Sequence, residues 1–235
     1  MRLLLISNST NAGEEYLAYP MPYIKEFIGM KKANILFIPF AGITISFDDY
    51  ALRVSKRFKE IGHSVYSIHS SSNPLKTVQE AEIIVTGGGN TWQLLHLLQK
   101  NEILAPVREK IMTGTPYIGW SAGANLACPT IRTTNDMPVV QPENFNALNL
   151  VPFQINPHYL DANPEGHAGE TREERINEFI QINKDIYVVG LREGTMLVVE
   201  CSKIRLIGNR KARIFRFGKT VQEYSSHEDL SFLLH

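Results

Sequence analysis

A repeat of short apolar runs and helical segments in the first half of the chain is the strongest constraint on its fold. Residues 3–6, 34–40, 83–86 and 116–120 are such runs, and helical patterns lie between them. The runs are continuously apolar, which indicates strands buried on both faces of a parallel sheet. We therefore predict an α/β fold with a doubly wound, mostly parallel sheet. Sites in such sheets form outside the carboxyl ends of the strands.

The second half of the chain is less regular. Residues 129–169 are rich in Pro, Asn and Thr and show no periodicity, and long irregular segments in compact domains are often functional. Residues 170–182 are predicted to form a helix and residues 185–191 a strand. Short β-like runs within residues 195–217 predict antiparallel hairpins at the edge of the sheet. Without a linker or an internal repeat, residues 1–235 are predicted to form one domain.

Composition narrows the class of protein. The 235 residues are 43% hydrophobic and 20% charged, which is typical of a globular protein. Lys plus Arg equals Asp plus Glu at 24 each, so no global field favours nucleic acid or an anionic membrane. No apolar stretch approaches the roughly 20 residues of a membrane span. The two cysteines, Cys128 and Cys201, make no disulfide framework and fit a cytoplasmic location.

The most specific local pattern is Gly-Trp-Ser-Ala-Gly at residues 119–123. A strand, a Gly-x-Ser-x-Gly turn and a helix start together form the nucleophile-elbow pattern. Side chains two positions from the serine would collide with neighbouring backbone, which explains the glycines. Ser121 is therefore a candidate nucleophile. The alternative is an ordinary strand-to-helix turn with small residues for close packing.

A second glycine-rich turn, residues 87–90, also follows a predicted strand. It lacks the Lys-Ser/Thr pair of a P-loop and the spacing of a dinucleotide fingerprint. We interpret it as half of an oxyanion hole, formed by the N–H groups of Gly89 and Ala122. The alternative is a plain strand-to-helix turn in which Asn90 or Thr91 caps the next helix.

A serine nucleophile needs a base, and two of the seven histidines lie in the irregular segment. His158 follows the apolar run 153–157, and Pro157 fixes the backbone just before it. His167, which follows Gly166 and precedes Ala168 and Gly169, is the second candidate for the base. The pattern favours His158 without excluding His167.

The third member of a triad has two candidates. Asp136 gives the chain order Ser, Asp, His of the α/β-hydrolases. Glu193 lies just beyond the carboxyl end of the predicted strand 186–191, on the rim that carries Ser121 if that strand is parallel. We favour Glu193 because strand ends converge on one rim.

Several longer motifs resemble the peptidase E, or α-aspartyl dipeptidase, family over roughly residues 1–195. They are Trp-Ser-Ala-Gly-Ala-Asn at 120–125, residues 129–138, Gln-Ile-Asn-Pro-His at 154–158, Glu-Gly-His at 165–167 and Gly-Glu-Thr-Arg-Glu at 169–173. The resemblance implies a class I glutamine amidotransferase-like, flavodoxin-like fold. It also implies a cytoplasmic serine peptidase that cleaves dipeptides with an amino-terminal aspartate.

The resemblance also implies roles for residues. Ser121 falls on the family's nucleophile and His158 on its base, while both Asp136 and Glu193 fall on positions proposed for the acid. Arg192 departs from the proline that we expect before the glutamate. We expect a small peptide substrate, a monomer or homodimer, and neither a cofactor nor a metal.

Binding an aspartate side chain requires a cation, and arginine's planar fork suits a carboxylate. Arg172, in the Gly-Glu-Thr-Arg motif, is the main candidate, and the alternative is a surface arginine paired with a neighbouring glutamate. Asn90, Thr130 and Arg132 are further candidates. Two other functions remain: a glutamine amidotransferase-like enzyme, which would carry cysteine at the elbow, and a non-catalytic binding module.

Overall fold

The computed structural model describes residues 1–163, 165–166 and 168–235. The candidate base His167 lies outside these residues. The described strands are β1 (Arg2–Ile6), β2 (Asn34–Ile38), β3 (Ser64–Ser67), β4 (Ile83–Thr86), β5 (Tyr117–Trp120), β6 (Gln154–Tyr159), β7 (Val188–Arg192), β8 (Met196–Glu200), β9 (Lys203–Ile207), β10 (Ala212–Phe215) and β11 (Gln222–Tyr224). The described α-helices are α1 (Met21–Ile28), α2 (Phe47–Glu60), α3 (Pro74–Gln79), α4 (Thr91–Lys100), α5 (Leu104–Met112), α6 (Ala122–Leu126) and α7 (Arg172–Ile182).

The larger sheet has seven strands in the order β3-β2-β4-β5-β1-β8-β9. The first five are parallel, and the hairpin of β8 and β9 extends the sheet through an antiparallel pairing of β8 with β1. The predicted α/β fold with a mostly parallel sheet and an antiparallel hairpin at its edge is confirmed. The carboxyl ends of β4 and β5 lie side by side, so the two glycine-containing turns meet there.

A second sheet of four strands has the order β11-β10-β7-β6. Strands β6 and β7 are parallel, and β10 and β11 continue the sheet in antiparallel fashion. The expectation that the predicted tail strands all extend the main sheet is therefore wrong for β10, while β11 was not predicted. Strand β10 pairs with the free edge of β7 and β11 pairs with β10. Phe215 of β10 packs with Tyr159 of β6 and Ile176 of α7.

The helix α2 illustrates how the sequence specifies an element that reaches the site. Ser46 accepts a hydrogen bond from the Asp49 N–H at the helix start, as its N-cap position predicts. Tyr50, Val54 and Phe58 recur at helical spacing and are buried against the larger sheet. The first turns of α2 therefore face the rim where the strands end.

The two sheets share their largest apolar core. It joins Leu5 of β1 to Ile155 of β6 and Leu191 of β7, all fully buried. Organisation as one domain stays a prediction, and the shared core supports it. Among the described residues, no helix is both long and apolar enough to cross a membrane.

Candidate active site

Ser121 occupies a strained turn between β5 and α6. Its backbone has φ 53° and ψ −112°, a region that side chains other than glycine seldom adopt. A Cβ on Gly119 would lie 2.4 Å from the Gly123 oxygen, and one on Gly123 would lie 2.3 Å from the Thr86 oxygen. Both glycines are required by close backbone contacts, as the pattern predicts.

His158 and Glu193 form a continuous hydrogen-bonded chain with Ser121. His158 Nε2 lies 2.9 Å from Ser121 Oγ, and His158 Nδ1 lies 2.7 Å from Glu193 Oε1. With the proton on Nδ1, the imidazole donates to the carboxylate and Nε2 accepts from the serine hydroxyl. This is the arrangement of nucleophile, base and orienting acid in a serine hydrolase.

An irregularity in the second sheet aims the imidazole. The pairing of β6 with β7 shifts register between Pro157 and Tyr159, and His158 takes φ 53°. The His158 N–H donates to Ser7 Oγ at 3.0 Å, and the Ser7 hydroxyl donates to the Leu191 oxygen at 2.7 Å. Ser7, at the end of β1, thus joins the two sheets beside the histidine.

The turn that carries Glu193 is anchored on both sides. The Gly194 N–H donates to Asn8 Oδ1 at 2.8 Å. Arg192, only 9% exposed, donates to the Asp161 carboxylate from Nε at 2.9 Å and also binds Glu223. The arginine that replaces an expected proline is therefore an ionic anchor for the turn.

The reason for the proximity of Glu193 differs from the prediction. Glu193 follows β7, which belongs to the second sheet and does not share the sheet of Ser121. Its neighbour is β6, whose parallel pairing with β7 brings His158 and Glu193 together. Topology within the second sheet, combined with docking of the two sheets, assembles the three side chains.

Asp136 makes a different set of contacts. Its Oδ2 accepts hydrogen bonds from the Thr91 N–H at 2.8 Å, the Thr91 hydroxyl and the Thr134 hydroxyl at 2.9 Å. It makes no hydrogen bond to His158, and its Oδ1 accepts none from any residue in the described ranges. Asp136 nevertheless lines the cleft that holds Ser121 and His158, at the start of α4.

The glycine-rich turn lies directly over the nucleophile. A Cβ on Gly88 would lie 2.9 Å from Ser121 Cβ, and one on Gly89 would lie 2.2 Å from the Ala41 oxygen. Neither the Gly89 N–H nor the Ala122 N–H donates to a residue that the structure describes. Both candidate oxyanion donors are therefore available to a ligand.

Tyr50 orients this turn. Its hydroxyl donates to the Gly88 oxygen at 2.9 Å and accepts from Trp120 Nε1 at 3.3 Å. Burial raises the pKa of Tyr50 above its ordinary value, so the hydroxyl stays a neutral donor. Since the C=O and N–H of one peptide unit point in opposite directions, this bond directs the Gly89 N–H away from Tyr50.

The cleft around Ser121 has a volume of about 480 Å³. Besides the residues above, Tyr16, Arg53 and the loop of residues 41–45 line it. Asn90 also lines it, but its Oδ1 caps α4 and its Nδ2 donates to the Met137 oxygen at 2.8 Å. Both polar atoms of the Asn90 side chain therefore make structural hydrogen bonds at the edge of the cleft.

Arg172 lies in an adjoining pocket of about 230 Å³, which shares Asp136 with the main cleft. It is the first residue of α7, and the Thr171–Glu174 capping box fixes that helix start. Burial and nearby Arg175 lower the pKa of Arg172, while the charge of Asp136 raises it. Arg172 forms no ion pair with the residues described, which leaves its charge available.

Thr130 lies apart from this cleft. Its hydroxyl oxygen accepts from Gln154 Nε2 at 2.7 Å and from Arg132 Nε at 3.3 Å. It lines neither the cleft of Ser121 nor the pocket of Arg172. These contacts favour a structural role over the direct substrate contact expected from the sequence.

Four residues at the site were not predicted from the sequence: Ser7, Asn8, Tyr50 and Arg53. Ser7 and Asn8 follow the first strand, and the rule that sites form at strand ends could have found them. Tyr50 and Arg53 lie within a helix. Helical spacing predicts that Tyr50 faces the sheet, but how close the first turns of α2 lie to the cleft depends on the packing of the helix.

Known proteins resemble this chain over nearly its whole length. The family model for peptidase family S51 matches residues 3–207. A protein of Nostoc sp. strain PCC 7120 named Peptidase E is 53% identical over 233 residues, covering 99% of this chain and 96% of its own length. A protein of Escherichia coli O6:K15:H31 with the same name is 47% identical over 219 residues, covering 93% of this chain and 95% of its own.

Solved structures show the same architecture. A crystal structure titled as a putative Peptidase E protein from Listeria monocytogenes EGD-e superimposes with a TM-score of 0.59 at 25% identity, covering 95% of this chain and 98% of the other. The structure of a peptidase from an acI-B1 actinobacterium superimposes with a TM-score of 0.67 at 18% identity, covering 98% and 96%, and shows likeness of fold alone. On the matched residues and the near-complete coverage of its relatives, this chain belongs to peptidase family S51.

Proposed function

We propose that this protein is a serine dipeptidase that hydrolyses Asp-Xaa dipeptides through an acyl-enzyme on Ser121. The observation that carries the proposal is the unbroken chain from Ser121 Oγ through His158 to Glu193, with contacts of 2.9 Å and 2.7 Å. Family membership and the two relatives named Peptidase E support the peptidase activity.

In the first half-reaction, His158 Nε2 takes the Ser121 hydroxyl proton as Oγ attacks the peptide carbonyl carbon. Nε2 then gives that proton to the leaving nitrogen as the C–N bond breaks, and the aspartyl ester remains on Oγ. In the second half-reaction, water loses a proton to Nε2 and attacks the ester. Serine leaves with that proton, and aspartate is released.

Glu193 holds Nδ1–H and stabilises the imidazolium that forms in both half-reactions. The Gly89 and Ala122 N–H groups donate to the carbonyl oxygen as it gains negative charge. Such preorganised donors supply about 3–4 kcal/mol each in related chemistry. Tyr50 acts on this step only by orienting the Gly88–Gly89 peptide unit.

Recognition of the aspartyl residue requires partners for two opposite charges. We assign the side-chain carboxylate to Arg172 and the α-ammonium group to Asp136. Asp136 borders both pockets, and its Oδ1 accepts no hydrogen bond within the described part of the chain. A free carboxylate oxygen in the cleft of the nucleophile suits an ammonium group carried by the carbon next to the scissile carbonyl.

Asp-Leu hydrolysis by the purified protein tests the proposal, with Ala-Leu as the matched substrate and Ser121→Ala as the matched variant. We expect turnover of Asp-Leu, little turnover of Ala-Leu, and a loss of about 10⁴-fold or more in kcat for the variant. Unchanged turnover by the variant would overturn the proposal. So would failure of a fluorophosphonate probe to label Ser121 in the wild-type protein.

We also propose a cytoplasmic location and a monomeric or homodimeric state. Free thiols at buried Cys128 and exposed Cys201 support a reducing compartment. Fractionation of the source cells, together with light scattering on the purified protein, tests these two assignments. Recovery of the protein outside the cytoplasm, or a larger assembly, would contradict them.

A further inference from the structure

Arg53 is a cation in the cleft of Ser121 that the proposed mechanism does not use. It projects from α2 and lines the same cavity as Ser121 and His158. Asp136, which leads to the pocket of Arg172, lines this cavity too. Arg53 therefore lines this cavity directly, and Arg172 lies in the adjoining pocket that shares Asp136 with it.

The aromatic ring of Tyr16 holds Arg53 in the wall of the cleft. Its guanidinium carbon lies 4.0 Å from the centre of the Tyr16 ring. Tyr16 packs edge-on against Trp120, the residue before the nucleophile, with ring centres 6.4 Å apart. Stacking engages the face of the guanidinium and leaves the N–H donors around its edge free for a planar anion.

No carboxylate of the described residues pairs with Arg53. Arg57, one turn further along α2, pairs with Glu15 at 3.2 Å and with Glu60 at 3.0 Å, while Asp49, one turn before Arg53, accepts from the Ser46 hydroxyl. The contrast between two arginines on one helix is informative. Arg57 makes a structural ion pair, whereas the guanidinium of Arg53 is available to bind an anionic group that enters the cleft.

The apolar part of the same wall suits a side chain. Ile43 and Ile45 line the same cleft as Arg53, and Ile43 is 52% exposed. An exposed isoleucine and an unpaired arginine in one cleft match the two ends of a free amino acid, an apolar side chain and a carboxylate. In a dipeptide, that amino acid is the leaving residue.

We propose that Arg53 binds the carboxyl-terminal carboxylate of the leaving residue. The inference rests on the proposed dipeptidase function and adds a second anchor to it. Arg172 and Asp136 hold the aspartyl residue on one side of Ser121, and Arg53 holds the far end of the dipeptide on the other. A longer peptide has no carboxylate at this point, so Arg53 restricts efficient cleavage to dipeptides.

Asp-Leu and its amide, Asp-Leu-NH2, test the proposal because they differ only in the terminal carboxylate. Wild-type protein is expected to have a kcat/KM about tenfold to a hundredfold higher for Asp-Leu, from one charged hydrogen-bonded pair. In Arg53→Met this preference should disappear. Asp-Leu should lose about that factor, mainly through KM, and the amide should be unaffected.

Lys59→Met is the matched control, because Lys59 is an exposed cation of α2 that does not line the cleft. It should keep the wild-type preference. Equal losses on both substrates in Arg53→Met would overturn the proposal and indicate a role for Arg53 in folding or in binding the aspartate side chain. An unchanged preference would overturn it as well. Failure of wild-type protein to cleave either substrate would instead count against the dipeptidase function itself.

Discussion

Glu193 Oε1 lies 2.7 Å from Nδ1 of His158, on the side of the imidazole opposite Ser121. The only other carboxylate predicted for this position, that of Asp136, binds two threonines at the start of α4. The two acids of the site therefore differ in what they contact, and their variants should differ in which kinetic constant they change.

Glu193→Gln is expected to lower kcat by about 10³–10⁴-fold with little change in KM. The new amide can donate a hydrogen bond to Nδ1, and this bond stabilises the tautomer of His158 whose proton is on Nε2. In that tautomer Nε2 cannot accept the proton of Ser121. Steady-state kinetics with Asp-Leu measure this. A variant with near-normal kcat would show that Glu193 is not the orienting acid.

Asp136→Asn is expected to raise KM for Asp-Leu by about tenfold to a hundredfold and to change kcat less. The reason is loss of the charged acceptor for the α-ammonium group. N-acetyl-Asp-Leu, which has no such charge, serves as the comparison substrate and should be poorly cleaved by both proteins. If kcat falls as far as in Glu193→Gln at unchanged KM, Asp136 acts on the catalytic step instead.

Gly88→Ala should inactivate a folded protein. The new Cβ would lie 2.9 Å from Ser121 Cβ and 3.0 Å from Trp120 Cδ1. We expect it to move Ser121 relative to the oxyanion donors, the N–H groups of Gly89 and Ala122. We expect a loss of about 10²–10³-fold in kcat.

Gly89→Ala is the contrasting variant, because its Cβ would lie 2.2 Å from backbone and its φ is +132°. It should lose thermal stability as well as activity. Thermal unfolding of both variants checks this, and a large drop in Tm for Gly88→Ala would contradict the prediction.

Asp161→Asn should make stability less dependent on pH. The hydrogen bond from Arg192 lowers the pKa of Asp161 below its ordinary value. A carboxyl whose folded pKa is lowered stabilises the fold above its unfolded pKa of about 3.9, and this contribution is lost as the pH falls through the folded pKa. The Asp161 side chain is 56% exposed, so solvent screening limits the effect to about 0.5–1 kcal/mol.

Urea unfolding of wild type and Asp161→Asn at pH 7 and at about pH 3 measures this difference. The wild-type advantage should be present at pH 7 and reduced at the lower pH. Asp49→Asn, in the first turn of α2 on the larger sheet, provides the control. An advantage that persists unchanged at the acid pH would contradict the assignment.

The sequence predicted the larger sheet well because its central strands are continuously apolar and helices such as α2 begin at a clear cap, Ser46. It also predicted the spacing of the elbow, which follows from backbone contacts of Gly119 and Gly123. It could not predict the second sheet, since β6 lies in the irregular segment 129–169 and the antiparallel runs of the tail could extend either sheet. The position of Ser7 after the first strand could have been used, but its contact with His158, 151 positions away, depends on how the two sheets dock.

Ser121 follows a strand of the seven-stranded sheet, whereas His158 lies in a strand of the four-stranded sheet and Glu193 follows another of its strands. Neither sheet alone contains a nucleophile together with its base. Turnover therefore reports how the two sheets meet as well as the integrity of each one.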